Sequence, residues 1–166
     1  CYPAVQASCG FAHTACVTAD ARLWVWGSGA TGKLGLGPVA GKEECFASAP
    51  TPLVIGDMAR VRSVSCGSAH TACVSDRGEL FVWGSGDGGR LGLGIDRLAT
   101  CFRPQRVDVN GECGPRGRGD RPGSLAFGGQ KVAIVSCGNA HTLVATQIRD
   151  VVRGAGATRE RLKAGG

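Results

Sequence analysis

The 166-residue chain is 43% hydrophobic and 19% charged, a balance that argues against disorder, and no apolar run approaches a membrane-spanning length. Its formal net charge of +6 favours acidic partners without constraining the fold. Nine cysteines, an odd number with no CxxC pair, argue against a disulfide framework or zinc ribbon and for a reducing, intracellular setting in cytoplasm or nucleus. The 28 glycines imply many tight turns. The chain begins at Cys1 without a signal-peptide pattern, which predicts a piece of something longer.

In chain order, "CGFAHTACV" at Cys9–Val17 is followed by "LWVWGSG" from Leu23 and "LGLG" from Leu34. Between the last two lies "GSGATGK", Gly27–Lys33, which almost spells a phosphate-binding loop; Gly27, Gly29 and Gly32 also fit the looser dinucleotide spacing. A phosphate loop needs a hydroxyl after the lysine for magnesium and a helix whose N-terminus faces the phosphates. Leu34 follows Lys33 instead, and "LGLGP" is a poor helix start. The next unit explains the glycines. "CGSAHTACV" returns at Cys66–Val74, "LFVWGSG" at Leu80 and "LGLG" at Leu91, each 57 residues later. Cys9–Gly37 and Cys66–Gly94 agree at about 19 of 29 positions, and a third start, "CGNAHTLVAT", begins at Cys137 after a step of 71. The second copy keeps Gly84 and Gly86 but carries Arg90 in place of the lysine. One glycine turn per repeat is expected, whereas one nucleotide site per repeat is not.

Four strand-like runs are read in the second unit. Val61–Ser65 alternates, Gly67 breaks it, and His70–Ser75 resumes an extended pattern. "DRG" at Asp76–Gly78 predicts a hairpin turn before Leu80–Trp83. Arg106–Val109 is the fourth run, and Leu53–Ile55 is its equivalent in the first unit. Four short antiparallel strands per unit make a propeller blade, in which neighbours bury the faces that no blade buries alone.

"VSCGSAHTACVSDRGELFVWGSGDGGRLGLG", Val64–Gly94, resembles the repeat of the regulator of chromosome condensation family. The family's pattern runs through Cys66-Gly67, His70-Thr71, Gly78, Trp83-Gly84 and Leu91-Gly92-Leu93-Gly94 to Pro104 and Val107. In the first unit the same positions are Cys9, Gly10, His13, Trp26, Gly27, Gly35 and Gly37; the third opens with Cys137, Gly138 and His141. The resemblance implies an all-β fold, a partial β-propeller arc of two full four-stranded antiparallel blades plus the start of a third. The expected units are 4–56 and 57–109, an inserted Gly/Pro/Arg-rich loop at 110–129, the start of a third repeat at 130–146 and a polar, disordered tail at 147–166. The third unit departs from the pattern, with Val152 and Gly154 where the first has Trp24 and Trp26.

Three C-x3-H pairs, Cys9/His13, Cys66/His70 and Cys137/His141, have zinc-capable chemistry. Each pair stands a blade from the next, and no second pair in its unit completes a tetrahedral set. The plainer expectation is a small buried Cys beside Gly, with His donating to backbone. Trp26 and Trp83 precede glycine turns on strands, where they fill the core. A light-sensing member of the family carries tryptophan between its Gly and His-Thr; Phe11, Ser68 and Asn139 stand there here, which disfavours that role.

"NGECGPRGRGDRPGSLAFGG", Asn110–Gly129, falls outside the repeat and carries the candidate partner contacts Arg116, Arg118, Asp120 and Arg121. The plain reading is a solvated interblade loop. No catalytic set, cofactor or metal site is expected, and direct nucleic-acid binding is disfavoured. The resemblance implies a protein partner, a small GTPase whose nucleotide pocket is opened by propeller loops, or else a scaffold or substrate-recruiting role within a ubiquitin ligase or kinase. Because the glycines serve turns, calorimetry with ATP, GTP or NAD should give no saturable heat. Micromolar binding abolished by Lys33→Ala would contradict this, whereas Gly84→Val should damage folding.

Overall fold

A computed structural model of the chain describes residues 2–38, 46–57, 60–94, 99–107 and 130–147. Strands β1 (Ala4–Cys9), β2 (His13–Thr18), β3 (Leu23–Ser28) and β4 (Phe46–Leu53) form one antiparallel sheet in that order. Strands β5 (Val61–Cys66), β6 (His70–Ser75), β7 (Leu80–Gly84) and β8 (Cys101–Arg106) repeat it. Strands β9 (Val132–Cys137) and β10 (Thr142–Thr146) pair as a third, two-stranded sheet. Two full blades and the start of a third make the partial propeller arc expected from the sequence. Among the described residues the helical turns are short 3-10 turns at Ala30–Gly32 and Asp87–Gly89, and no helix is long and apolar enough to cross a membrane.

Local sequence explains the hairpins. The β6–β7 turn needs a left-handed residue, supplied by Gly78 at φ +82°, and Gly78 N–H donates to the Ser75 carbonyl at 3.0 Å. In the first blade Ala21 holds the same place at φ +65°, a conformation that costs a residue with a Cβ about 1 kcal/mol.

The fourth strand of each blade lies earlier than the sequence suggests. Where the sequence suggests Leu53–Ile55 and a run from Arg106, the strands are Phe46–Leu53 and Cys101–Arg106, so Pro50, Pro52 and Pro104 lie within strands rather than before them; Asp108 and Val109 lie outside the described residues. Proline lacks the donor an inner strand needs, but β4 and β8 are outer edges, where one side of the ladder is free. The prolines also blunt those edges against pairing with another sheet.

Alternation along the strands divides the apolar side chains between two seams. Ala15, Val17, Leu23 and Val25 of the first blade meet Val61, Val64, Phe81 and Trp83 of the second. Ala72, Val74, Leu80 and Val82 of the second meet Val132 and Val135 of the third. Thus Phe81 and Trp83 face backward while Leu80 and Val82 face forward. Burying each such large side chain contributes about 1.5–3 kcal/mol, so the cores lie between blades rather than within them.

Repeat-equivalent residues differ accordingly. Trp83 is fully buried beneath the first blade, whereas Trp26, its counterpart, is only partly buried. Every residue of β6 and β7 is buried. Outside the central blade, Tyr2, Val5, Phe11 and Phe46 are exposed at one end, and Ile134 and Leu143 at the other. These 166 residues in isolation should therefore self-associate, with light scattering giving a mass above the monomer. A monodisperse monomer with one cooperative thermal transition would contradict this expectation.

Candidate functional site

The repeated Cys-Gly and His-Thr steps meet at the seams. In the first blade Gly10 N–H donates to the His13 carbonyl at 2.8 Å, closing the β1–β2 turn and laying the imidazole across Gly10. A Cβ at Gly10 would collide with the ring, Nδ1 at 2.6 Å among its atoms. Across the hairpin His13 pairs with Gly27, where φ is +101° and a Cβ would lie 2.6 Å from the Ala12 carbonyl oxygen. Two glycines thus set the histidine at the start of β2, with its Nε2 facing the next blade.

There His13 Nε2 lies 2.8 Å from Thr71 Oγ1, and Thr71 Oγ1 donates to the Lys33 carbonyl at 2.8 Å. The same carbonyl accepts from Trp83 Nε1 at 2.9 Å. At the second seam His70 Nε2 lies 2.9 Å from Thr142 Oγ1, which donates to the Arg90 carbonyl at 2.7 Å. A hydroxyl has one proton, and here the carbonyl takes it, so the threonine oxygen must accept from the imidazole. Both histidines are therefore Nε2–H tautomers. Their Nδ1 atoms are buried and have no hydrogen-bond partner among the described residues.

This geometry favours the neutral ring. Burial lowers the His13 pKa to about 4, helped by Lys33 and His70. His70 is also lowered to about 4, first by burial and then by Arg90, with the His141 backbone opposing the shift. His141, which has no further described blade beyond it, is exposed. The sequence led us to expect histidine donating to backbone; the acceptor is instead the threonine hydroxyl of the following blade. The invariant His-Thr dipeptide was the available signal, but only the arc brings one unit's histidine to the next unit's threonine.

Other polar groups join the same seams. Gln6 bridges the Val64 main chain in both directions, at 3.3 and 3.0 Å. Ser8 Oγ accepts from Cys66 N–H at 2.9 Å, and Ser65 Oγ accepts from Cys137 N–H at 2.9 Å. The cysteines are differently placed, with Cys66 buried, Cys137 intermediate and Cys9 exposed. Burial pushes the Cys66 thiol up to about 12 and raises those of Cys73 and Cys137 as well. A thiol held protonated by burial is a poor nucleophile at neutral pH. Among the described residues no group of three His, Cys, Asp or Glu side chains could hold a metal.

The glycine loop is part of this construction. Lys33 is 7% exposed, its carbonyl is doubly bonded, and a Cβ on Gly35 would lie 2.8 Å from Trp83 Nε1. Gly37, Gly84, Gly92 and Gly94 all have positive φ, and Gly67 and Gly138 sit against the rings of His70 and His141 as Gly10 does against His13. Arg116, Arg118, Asp120 and Arg121 lie outside the described residues.

These blades and their seam chemistry define a propeller repeat. The family description Regulator of chromosome condensation (RCC1) repeat matches residues 20–74 and 77–145, and a second RCC1 repeat description matches 4–32 and 61–90. The chain belongs to the RCC1 repeat family. It is 33% identical over 140 residues to the ultraviolet-B receptor UVR8 of Arabidopsis thaliana, covering 83% of this chain and 26% of the receptor. It is 38% identical over 104 residues to the serine/threonine-protein kinase Nek9 of Mus musculus, covering 63% of this chain and 10% of the kinase. Prp20p of Saccharomyces cerevisiae shares the fold at a TM-score of 0.66 and 19% identity, over 90% of this chain and 32% of that one. The chain therefore spans about a third or less of each of these proteins.

Both histidine pKa values are depressed, so in acid the unfolded chain takes up protons first and unfolding is favoured. Their contribution should be intact above pH 6.5 and decline as pH falls toward about 4. Urea midpoints of the intact protein across that range should fall, with a shallower slope in His70→Gln. Thr71→Val, which strands a buried donor and a carbonyl lone pair, should cost about 1–3 kcal/mol. A flat pH profile and a neutral Thr71→Val would contradict the assignment.

Proposed function

We propose that this chain is a non-catalytic, protein-binding segment of a propeller that regulates a small GTPase, by guanine-nucleotide exchange on a Ran-like partner. The observation that carries this reading is the commitment of the repeat's histidines, threonines and indole to the seams. Chemistry of recognition then falls to the connections between strands, which vary without disturbing packing. The fold shared with Prp20p, whose structure is described with its binding properties to Gsp1p and histones, supports the GTPase class. Exchange needs no covalent step and no cofactor of this chain's own, because loops that press on the partner open its nucleotide pocket.

The contact falls on the connection between the second and third blades, the loop at 110–129 dividing units 4–56 and 57–109 from a third unit at 130–146. Arg116, Arg118 and Arg121 outnumber Glu112 and Asp120, and Pro115 and Pro122 restrict the loop. Such a loop suits an acidic protein surface, through steered encounter and bidentate Arg–carboxylate pairing. A second reading, a recruiting module within a larger enzyme, is favoured by the match to Nek9, in which the aligned segment is 10% of a kinase.

Replacing residues 112–127 with a short Gly-Ser linker in the full-length protein tests the contact. The replaced protein should keep its far-ultraviolet spectrum and lose both GTPase pull-down and release of labelled GDP from a purified Ran-type GTPase. Intact binding and release would refute the loop assignment. Lost binding without any exchange activity in the parent protein would favour recruitment.

A further inference from the structure

Where the two full blades adjoin at their outer edges, the surface opens into a groove of about 320 Å3. The first blade lines it with Gly35, Leu36, Pro52, Leu53 and Val54, and β8 of the second contributes Arg103 and Pro104. Val54 is 66% exposed and offers its aliphatic side chain at the groove. The floor at Gly35 rests on the Trp83 indole, so the buried seam fixes the groove's base.

Arg103 is the charge in this lining. Its guanidinium lies over Gly37, where a Cβ would stand 2.8 Å from Nη2 and 2.9 Å from Cζ. Arg22, Arg60 and Arg106 each pair with a carboxylate, Arg62 donates to the Val132 and Ala133 carbonyls, and Arg90 donates to the Asp87 carbonyl. No carboxylate pairs with Arg103 among the described residues. Nor does the repeat call for a cation there. Val25 pairs with Thr51 and Val82 with Gln105, so Arg103 is the counterpart of Ala49 and Pro104 of Pro50. The arginine is an addition to the blade pattern, and it is held beside apolar surface.

We infer that this groove binds an extended peptide segment of a partner protein that carries a carboxylate beside an aliphatic residue. The planar guanidinium of Arg103 takes the carboxylate in two parallel hydrogen bonds, while Leu36, Leu53 and Val54 take the aliphatic side chain. Recognition is by side chains, because Pro50, Pro52 and Pro104 deny the edges an uninterrupted ladder for strand addition. A nucleic acid fits poorly, since the lining offers one cation and no aromatic platform. The inference stands independently of the GTPase reading.

The test titrates the full-length protein with fluorescein-labelled pools of ten-residue peptides, each holding one Asp or Glu among Leu, Val and Pro. Matched pools carry Asn or Gln instead, and an oligothymidine serves as the nucleic-acid probe. The acidic pool should bind saturably, about tenfold or more tightly than the neutral pool, and Arg103→Ala should abolish that difference. Val54→Asp, at an exposed position, should also weaken the acidic pool while leaving the melting temperature unchanged. Equal binding of the two pools, or acidic-pool binding untouched by both variants, would overturn the proposal. Oligothymidine binding that depends on Arg103 and exceeds peptide binding would overturn it in favour of a phosphate site.

Discussion

The structure depends on a hydrogen bond between a neutral imidazole of one blade and a threonine hydroxyl of the next. His13 reaches Thr71 and His70 reaches Thr142, and in each case the hydroxyl donates a hydrogen bond to a carbonyl of the histidine's own blade, that of Lys33 or Arg90. The carbonyl belongs to the glycine loop, so one threonine ties together strand, loop and neighbouring blade. Gly10 and Gly67 let the rings lie close against the backbone, and Gly27 and Gly84 let the hairpins close around them. A motif spread from Gly10 to Lys33 thereby makes a single joint with Thr71 of the next unit. Its buried polar atoms are largely satisfied only when two blades meet, which couples folding of one unit to the presence of the next.

That coupling also separates packing from recognition. Apolar side chains on either face of the second blade are claimed by the first and third, and polar repeat residues by the joint. What differs between units is then the informative part: Arg103 where the first blade has Ala49, and the long connection between the second and third blades. Departures from the repeat can bear partner contacts because the repeat itself leaves little free.

The blades were legible in the sequence because 57-residue periodicity repeats each strand, and β5, β6 and β7 lie within a residue of the runs read there. The outer strands were not, because proline reads locally as a strand boundary and only the sheet order identifies β4 and β8 as edges. The glycines at 27–37 were legible as turns, since their copies recur without the lysine. The acceptor of each histidine was hidden, because His13 and Thr71 are 58 residues apart and meet only through blade stacking. The groove at Arg103 was equally hidden. Its lining comes from two units, and nothing in either one alone marks a site.

Nitrogen-15 spectroscopy of the imidazole rings in the intact protein tests the joint most directly. At pH 6.5, the ordinary pKa of histidine, His13 and His70 should each give a neutral ring with a protonated Nε2 and a bare Nδ1, and that pattern should persist until the pH approaches about 4. Protonation midway near pH 6.5, or a proton on Nδ1 in the neutral ring, would contradict the account.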